Sequence, residues 1–395
     1  MTTASRRWPY RHTVLTLCTF ALLATMVARL AISPLVPAIM ADFGVTNAAV
    51  GLALTGMWLA YGLAQYPSGV FADRYGERPV ILVAVFGTAL GSALIAIAPT
   101  FVLFAVAVVV LGSLAGLHFS VATTLLTRTY DDVGTAIGLH TLGGTGGGLI
   151  GPILAAWIAV RVGWRPAVAI GALVAVPVFV LFYRYVRPTP PRKPDLEVRE
   201  QFRLDPLLAV LSRPPVAFSV TVAVIITFVW QGLASFLPTF LIAHHDHSET
   251  LAATMFSLFF VVQGGAQVGV GAASDRYGRD AVTVACLVLA VGGLAVLVLG
   301  SGLAFVAAGV VLVGLGLSAF AAVMARFMDL FGAEERGAGF GLTQSVTMVL
   351  SASGAVVVGF VADLANWPVA ISVLAVLLGV ALCLLVGNRV LGTGY

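Results

Sequence analysis

Twelve stretches of about 20 or more mostly apolar residues follow one another along this 395-residue chain. A helix needs roughly 20 such residues to cross about 30 Å of hydrocarbon, and each stretch reaches that length. Their approximate limits are 13 to 38, 47 to 71, 79 to 98, 101 to 125, 134 to 160, 164 to 187, 214 to 242, 249 to 273, 280 to 299, 303 to 326, 337 to 362 and 367 to 388. Composition excludes a soluble globule: 60% of residues are hydrophobic and 10% charged, with a mean hydropathy of +1.04. The expected fold is an all-α membrane protein of twelve transmembrane helices. The first stretch is too long for a signal peptide and has no small-residue cleavage site, so it is expected to remain in the mature chain.

Charge placement sets the expected topology. With the N-terminus in the cytoplasm, 18 of the 21 Lys and Arg fall in cytoplasmic segments, against Arg161 and Arg165 outside and Arg29 within the first span. That is the positive-inside pattern. The excess of basic residues therefore reports orientation, and no nucleic-acid partner is expected. The reading is a multi-pass protein of the cell membrane with both termini cytoplasmic. Cys18, Cys286 and Cys383 all fall within spans and lack companions at ligand spacing, so neither disulfide nor metal site is expected.

The chain also repeats itself. GVFADRYGERPV, residues 69 to 80, returns as GAASDRYGRD, residues 271 to 280, aligning Gly69 with Gly271, Asp73 with Asp275 and Arg74 with Arg276. Trp164 and Trp367, in GWRPAVAI and NWPVAI, form a second anchor; Gly138-Leu139 and Gly341-Leu342 form a third. Between spans 6 and 7 runs a polar, proline-rich segment that could not cross lipid. The expected domains are a six-helix bundle over 1–187, a cytoplasmic linker over 188–213 and a second six-helix bundle over 214–395. Repeated halves about a central site are how many secondary transporters build alternating access. In that scheme a carboxylate such as Asp73, ending a span before a tight glycine turn, meets a neighbouring helix N-terminus only when the halves close on its side. Gly69, Asp73, Arg74, Arg78, Gly271, Asp275 and Arg276 are the expected gating residues.

GVFADRYGER resembles the signature between helices two and three of the major facilitator superfamily, and GAASDRYGRD resembles its counterpart between helices eight and nine. GWRP at the start of span 6 is similarly typical. The resemblance covers almost the whole chain and implies two pseudo-symmetric bundles transporting a small molecule. The second copy carries Asp280 where the first has Arg78, so its ion-pair network is expected to be weaker or rewired.

Substrate chemistry is sought among polar groups within the spans, where burial in lipid is expensive. All 17 acidic residues sit in loops or at span ends, which lowers the weight of organic-cation transport. Arg29 lies deep in span 1 with no evident acidic partner. An arginine keeps its charge and offers five donors, a set suited to a carboxylate or phosphate; its alternative role is to tie helices together through backbone carbonyls. Trp58, Tyr61 and Gln65 follow at helical spacing on span 2. His118 and His140 are the other titratable candidates and possible proton carriers; for His118 a hydrogen-bonded packing role is the favoured reading.

The stretch from ARLAISP to DRYG further resembles the organophosphate:phosphate antiporter family, which implies substrate roles for Arg29, Tyr61 and His140. Gln65 replaces that family's lysine and Trp230 its second substrate arginine, which points to a singly charged or weakly polar substrate. A competing resemblance lies in GGTGGGLIGP, residues 143 to 152. Gly147, Gly151 and Pro152 look like the fifth-helix motif of drug:proton antiporters, in which small residues let helices approach closely. Ala155 and Ala156 stand where that motif continues with glycines, and Gly112 where its span 4 arginine is usual. Efflux of a lipophilic compound is therefore the alternative to organic monoanion transport.

In AHHDHSET, residues 243 to 250, a polar loop with Ser248 capping span 8 is favoured over a zinc site. No GxxxxGK[ST] loop occurs, so neither nucleotide nor cofactor is expected, and an ion or solute gradient would drive transport. The expected protein is a monomeric transporter and not an enzyme. Replacing Asp73 with Asn should slow conformational exchange by roughly threefold to tenfold, measured as turnover in proteoliposomes, while leaving substrate affinity intact; an equal loss of affinity would exclude the latch role.

Overall fold

The computed structural model describes residues 9–195, 211–332 and 336–392. Most of the linker, together with Arg6, Arg7, Glu334 and Glu335, lies outside the described residues. Twelve helical segments are long and apolar enough to cross a membrane: Tyr10–Phe43 (span 1), Asn47–Tyr75 (span 2), Glu77–Ile97 (span 3), Phe101–Thr129 (span 4), Val133–Val162 (span 5), Trp164–Tyr185 (span 6), Pro214–His245 (span 7), Glu249–Tyr277 (span 8), Arg279–Leu299 (span 9), Leu303–Leu330 (span 10), Gly341–Leu364 (span 11) and Trp367–Leu391 (span 12). The described residues contain no strand. Large apolar side chains cover the exterior, among them Val106, Leu173, Phe305 and Val376, as lipid contact requires.

Several helices outrun their apolar runs because the helix is ended by backbone chemistry and not by polarity. Span 2 continues through Asp73, Arg74 and Tyr75 and stops at Gly76, whose φ of 88° only glycine adopts without strain. Gly278, 202 residues on, stops span 8 at φ 92°. The caps repeat as well: Thr46 accepts from the Ala49 N–H at 3.3 Å and Ser248 from the Leu251 N–H at 3.3 Å. So do the breaks. Span 4 is interrupted at Gly116 and Leu117, and span 10 at Ser318 and Ala319. Span 1 bends through a 3-10 turn, Ser33–Leu35, where Pro34 and Pro37 remove backbone donors before the helix resumes to Phe43.

Spans 1 to 6 pack on one another, as do spans 7 to 12, and the two groups meet where span 2 lies on span 11, span 5 on span 8 and span 1 on span 7. Those meeting places are tight in the half of the protein remote from the chain ends. A Cβ on Gly51 would stand 2.7 Å from the Ala355 carbonyl oxygen, and one on Gly148 2.5 Å from Phe260 Cγ. Toward the face bearing the chain ends the same spans leave open space beside Gly69, Gly138, Gly271 and Gly341. Hydrogen bonds join the two groups in the remote half: Ser33 Oγ to the Ser235 carbonyl at 2.9 Å, Trp58 Nε1 to Ser235 Oγ at 3.4 Å and the Val356 N–H to Thr55 Oγ1 at 3.0 Å.

The outermost of these contacts is a carboxylate on a helix N-terminus. Asp363, ending span 11, accepts from the Asn47 N–H at 3.2 Å, from Asn47 Nδ2 at 2.7 Å and from the Ala48 N–H at 2.7 Å. It fills donors that the first turn of span 2 cannot satisfy internally and opposes the positive end of that helix. Losing such a cap costs about 1 kcal/mol, so Asp363→Ala should raise the population opened on this face roughly fivefold. Pulsed electron paramagnetic resonance between labels at Val45 and Leu364 checks this; an unchanged distance distribution would contradict it.

Candidate functional site

Arg29 occupies the last turn of the first straight segment of span 1, just before the proline bend, with 2% of its surface exposed. Its Nε donates to the Thr25 carbonyl at 3.1 Å and its Nη2 to Met26 Sδ at 3.3 Å. The guanidinium carbon stands 4.1 Å from the centre of the Tyr61 ring and 5.3 Å from that of Trp58. Aromatic faces thus do what a counter-ion would do elsewhere, since their negative quadrupoles stabilise a cation. Among the described residues, no carboxylate is ion-paired with Arg29. Three of its five N–H groups keep the capacity to bind an anion in a planar fork.

Aromatic contacts carry the site across to the other bundle. Trp58 meets Trp230 of span 7 edge to face at 5.3 Å, and Trp230 meets Phe260 of span 8 at 6.1 Å. Trp230 Nε1 donates to Gln263 Oε1 at 3.1 Å, while Gln263 Nε2 donates to the Leu317 carbonyl at 3.4 Å, beside the break in span 10. Gln231 Nε2 donates to Ser351 Oγ at 3.2 Å, and its Oε1 is buried without a partner. Gln65 is buried on span 2, one turn from Tyr61. The second bundle therefore contributes neutral polar and aromatic groups to a site whose charge comes from the first.

His118 and His140 are both fully buried, and their ring centres lie 5.6 Å apart. His118 begins the second segment of span 4, directly after the Gly116 and Leu117 interruption, and His140 lies across from it on span 5, stacked on Phe119 at 5.9 Å. Neither ring makes a well-aligned hydrogen bond, although the backbone of Cys18 on span 1 faces His118. The two histidines form one unit.

Span 5 is held against span 1 by glycines one helical turn apart. A Cβ on Gly143 would fall 2.2 Å from the Thr19 carbonyl oxygen, one on Gly147 2.5 Å from Met26 Cβ and one on Gly151 3.1 Å from Val27 Cα. Met26 also contacts Arg29, so the glycine stripe ties the placement of the arginine to span 5. Pro152 lies buried in the same helix.

At the face bearing the chain ends, the first charged turn is held mainly within its own bundle. The Asp73 carbonyl accepts from the Lys193 N–H at 2.9 Å, while Arg78 donates to the carbonyls of Val186 at 2.8 Å and Tyr183 at 2.6 Å. Glu77, 1% exposed, pairs with Arg128 at the end of span 4 at 2.6 Å. In the second copy Arg279 pairs with Asp329 at the end of span 10 at 2.9 Å and with Asp275, and Asp280 pairs with Arg326. The network is rewired: the Arg279–Asp329 pair has the charges of Glu77–Arg128 exchanged, while Asp280–Arg326 keeps them, and it is not sparser than the first. Gly69 and Gly271 face open space, and Arg276 lies 5.3 Å from the Tyr277 ring centre.

Sequence reasoning missed Glu77, Gln231, Gln263 and Ser235. The two glutamines were visible as lone amides within apolar runs, a signal of the same kind that drew attention to Arg29. Glu77 carried no such signal, because a carboxylate at a span end reads as solvated. At the remote end of span 7 His244 and His245 lie within reach of the Val298 and Leu297 carbonyls at 3.4 and 2.9 Å.

Comparison with known proteins agrees with this architecture. A family model described as Major Facilitator Superfamily matches residues 18–248 and 237–391. Multidrug resistance protein MdtG of Serratia proteamaculans is 29% identical over 279 residues, 66% of this chain and 65% of that protein. Multidrug resistance protein B homolog of Mycobacterium tuberculosis is 35% identical over 130 residues, 32% of this chain; the match spans only 24% of that relative's length. Among solved structures, a bacterial homolog of the human lysosomal transporter Spinster, inward-facing and occupied, superposes with a TM-score of 0.79 at 17% identity over 97% of both chains. The human organic anion transporter MFSD10 superposes with a TM-score of 0.72 at 19% identity over 96% of this chain and all of that one. At those identities the structures share the fold alone. The chain belongs to the Major Facilitator Superfamily and is a multi-pass membrane protein.

Proposed function

We propose that this protein transports a small organic monoanion, a carboxylate foremost, with Arg29 as its anchor. The observation that carries this reading is the buried Arg29 guanidinium, held over Tyr61 and Trp58 with donors to spare and no acidic partner. A carboxylate matches its planar fork. Tyr61, Gln65, His140 and Trp230 are the proposed cavity partners, and the aromatic surface of Trp58, Trp230 and Phe260 suits an organic body. With Arg29 the one cation placed in the site among the described residues, a doubly charged phosphate ester would leave charge uncompensated in a low-dielectric interior.

In this reading the bundles over 1–187 and 214–395 rock about the site as a monomer in the cell membrane. The positive-inside pattern supports cytoplasmic termini, and in that orientation the closed face is the outer one. Asp73, Arg74, Arg78, Asp275 and Arg276, with Gly69 and Gly271, act when the cytoplasmic face closes. A gradient of ions or solutes drives the cycle. The second reading, proton-driven efflux of a lipophilic compound, draws on the aromatic cluster, on Gly147, Gly151 and Pro152, and on relatives named multidrug resistance proteins.

Thermal-shift screening with small monocarboxylates, phosphate esters and lipophilic drugs separates the two, because a ligand that binds the folded state raises its stability with the logarithm of saturation. A monoanion should stabilise the wild type, and Arg29→Gln should weaken its binding about 100-fold, the loss of a charge-assisted fork of roughly 3 kcal/mol. Stabilisation by lipophilic compounds alone, unchanged in Arg29→Gln, would overturn the proposal in favour of efflux.

A further inference from the structure

We infer that His118 and His140 together hold one proton, taken up when an organic monoanion occupies Arg29, so that monoanion and proton cross the membrane as a neutral pair. The inference rests on the monoanion reading of Arg29 and adds its coupling. Its basis is geometric. Two imidazoles from different spans face each other in the membrane interior with ring centres 5.6 Å apart; both nitrogens of His140 lack a protein partner, and His118 has only the Cys18 backbone facing it. A neutral imidazole carries one donor and one acceptor, and leaving most of these unmet on two adjacent buried rings is expensive. A function that loads and unloads a proton accounts for keeping them.

The charges around the pair set the stoichiometry and the sign. Spans 1, 2, 3 and 5 are packed against the segment bearing His118, and spans 1, 6 and 8 against span 5. Span 1 brings Cys18 and Arg29 and span 2 brings Tyr61. The ionisable groups of the other spans sit at their ends, including Glu77 and Arg78, Arg128, Arg161, Tyr183 and Arg184, Glu249 and Asp275. Among the described residues, no carboxylate therefore stands in the interior to compensate a proton on the pair. A second proton is opposed by the first, since like charges so close titrate as one coupled unit. The first is opposed by Arg29 while that cation is bare. A monoanion on Arg29 cancels this opposition, so anion and proton each favour the binding of the other, and the effect is reciprocal.

No bond is formed or broken. The proton moves from water to an imidazole nitrogen and returns to water when the anion leaves. Gly143 and Gly147 draw span 5, which bears His140, onto span 1, which bears Arg29. The exchange is electroneutral, so an inward proton gradient draws the anion in and leaves the membrane potential without direct effect on the loaded step.

The test measures benzoate and lactate affinity of the purified full-length protein between about pH 5.5 and about pH 8.5, where imidazole titrates and both probes stay ionised, together with proton uptake on binding in weak buffer. The wild type should bind about tenfold more tightly for each unit fall in pH and take up close to one proton per anion. His118→Asn, checked for monodisperse elution, should keep the weak high-pH affinity and lose the slope and the proton uptake; His140→Asn, checked in the same way, should also lose the slope and the proton uptake. A packing role alone would leave the slope of a folded variant equal to that of the wild type, and that result would overturn the inference. A wild type that binds a probe through Arg29 with no pH dependence would overturn it while leaving the monoanion reading intact. Failure of both probes to show any Arg29-dependent binding would remove the monoanion reading and this inference with it.

Discussion

A guanidinium that keeps its charge in the membrane interior without a carboxylate beside it is the constraint around which this protein is arranged. Arginine cannot shed its proton to escape burial, so its surroundings must stabilise the cation. Here one backbone carbonyl, one thioether and two aromatic faces do so. That arrangement holds the charge without filling its hydrogen-bonding fork. The proline bend that follows, the glycines that draw span 5 onto span 1, and the two tryptophans that meet across the bundles all serve to hold this side chain at one depth. A salt bridge in the same place would have been more stabilising to the side chain and of no use for capturing an anion.

The second organising feature is a repeat of 202 residues that preserves geometry more faithfully than charge. The glycine turns, the helix caps at Thr46 and Ser248 and the interruptions of spans 4 and 10 recur in register. At the charged turns the ion pair between span 3 and the end of span 4 becomes one between span 9 and the end of span 10 with the signs exchanged. Coulomb attraction is indifferent to which partner bears which charge, so the pair can invert while the turn it supports stays the same. The interior is less symmetrical. The first bundle holds the arginine and the histidine pair, the second holds amides and aromatic rings; in the proposed reading a substrate between them meets its charge partner on one side and its apolar partner on the other.

Much of the fold was legible in the sequence because lipid imposes a length on every span and glycine with positive φ imposes an end. The runs located all twelve helices, and DRYG marked where spans 2 and 8 stop. Helix continuation past the apolar runs was not legible, since charged residues such as Asp73 and Arg74 extend a helix as readily as they leave it. Arg29, Tyr61 and Trp58 could be grouped from their depth and spacing. The histidine pair could not, because His118 and His140 lie on different spans and only the break at Gly116 and Leu117 turns one toward the other. The cross-bundle cap at Asp363 was equally hidden, a carboxylate in what reads as an ordinary loop, 316 residues from the asparagine it contacts.

The account stands most directly on whether a bound carboxylate touches Arg29. Solid-state nuclear magnetic resonance on the reconstituted protein, with the arginine guanidinium labelled with nitrogen-15 and the carboxylate of a bound monoanion with carbon-13, measures that separation. A dipolar coupling corresponding to about 4 Å, the reach of a bidentate fork, and absent in Arg29→Gln, is the predicted result. A monoanion that binds with no coupling to any arginine would show that the buried guanidinium serves the helices alone, and it would contradict the account.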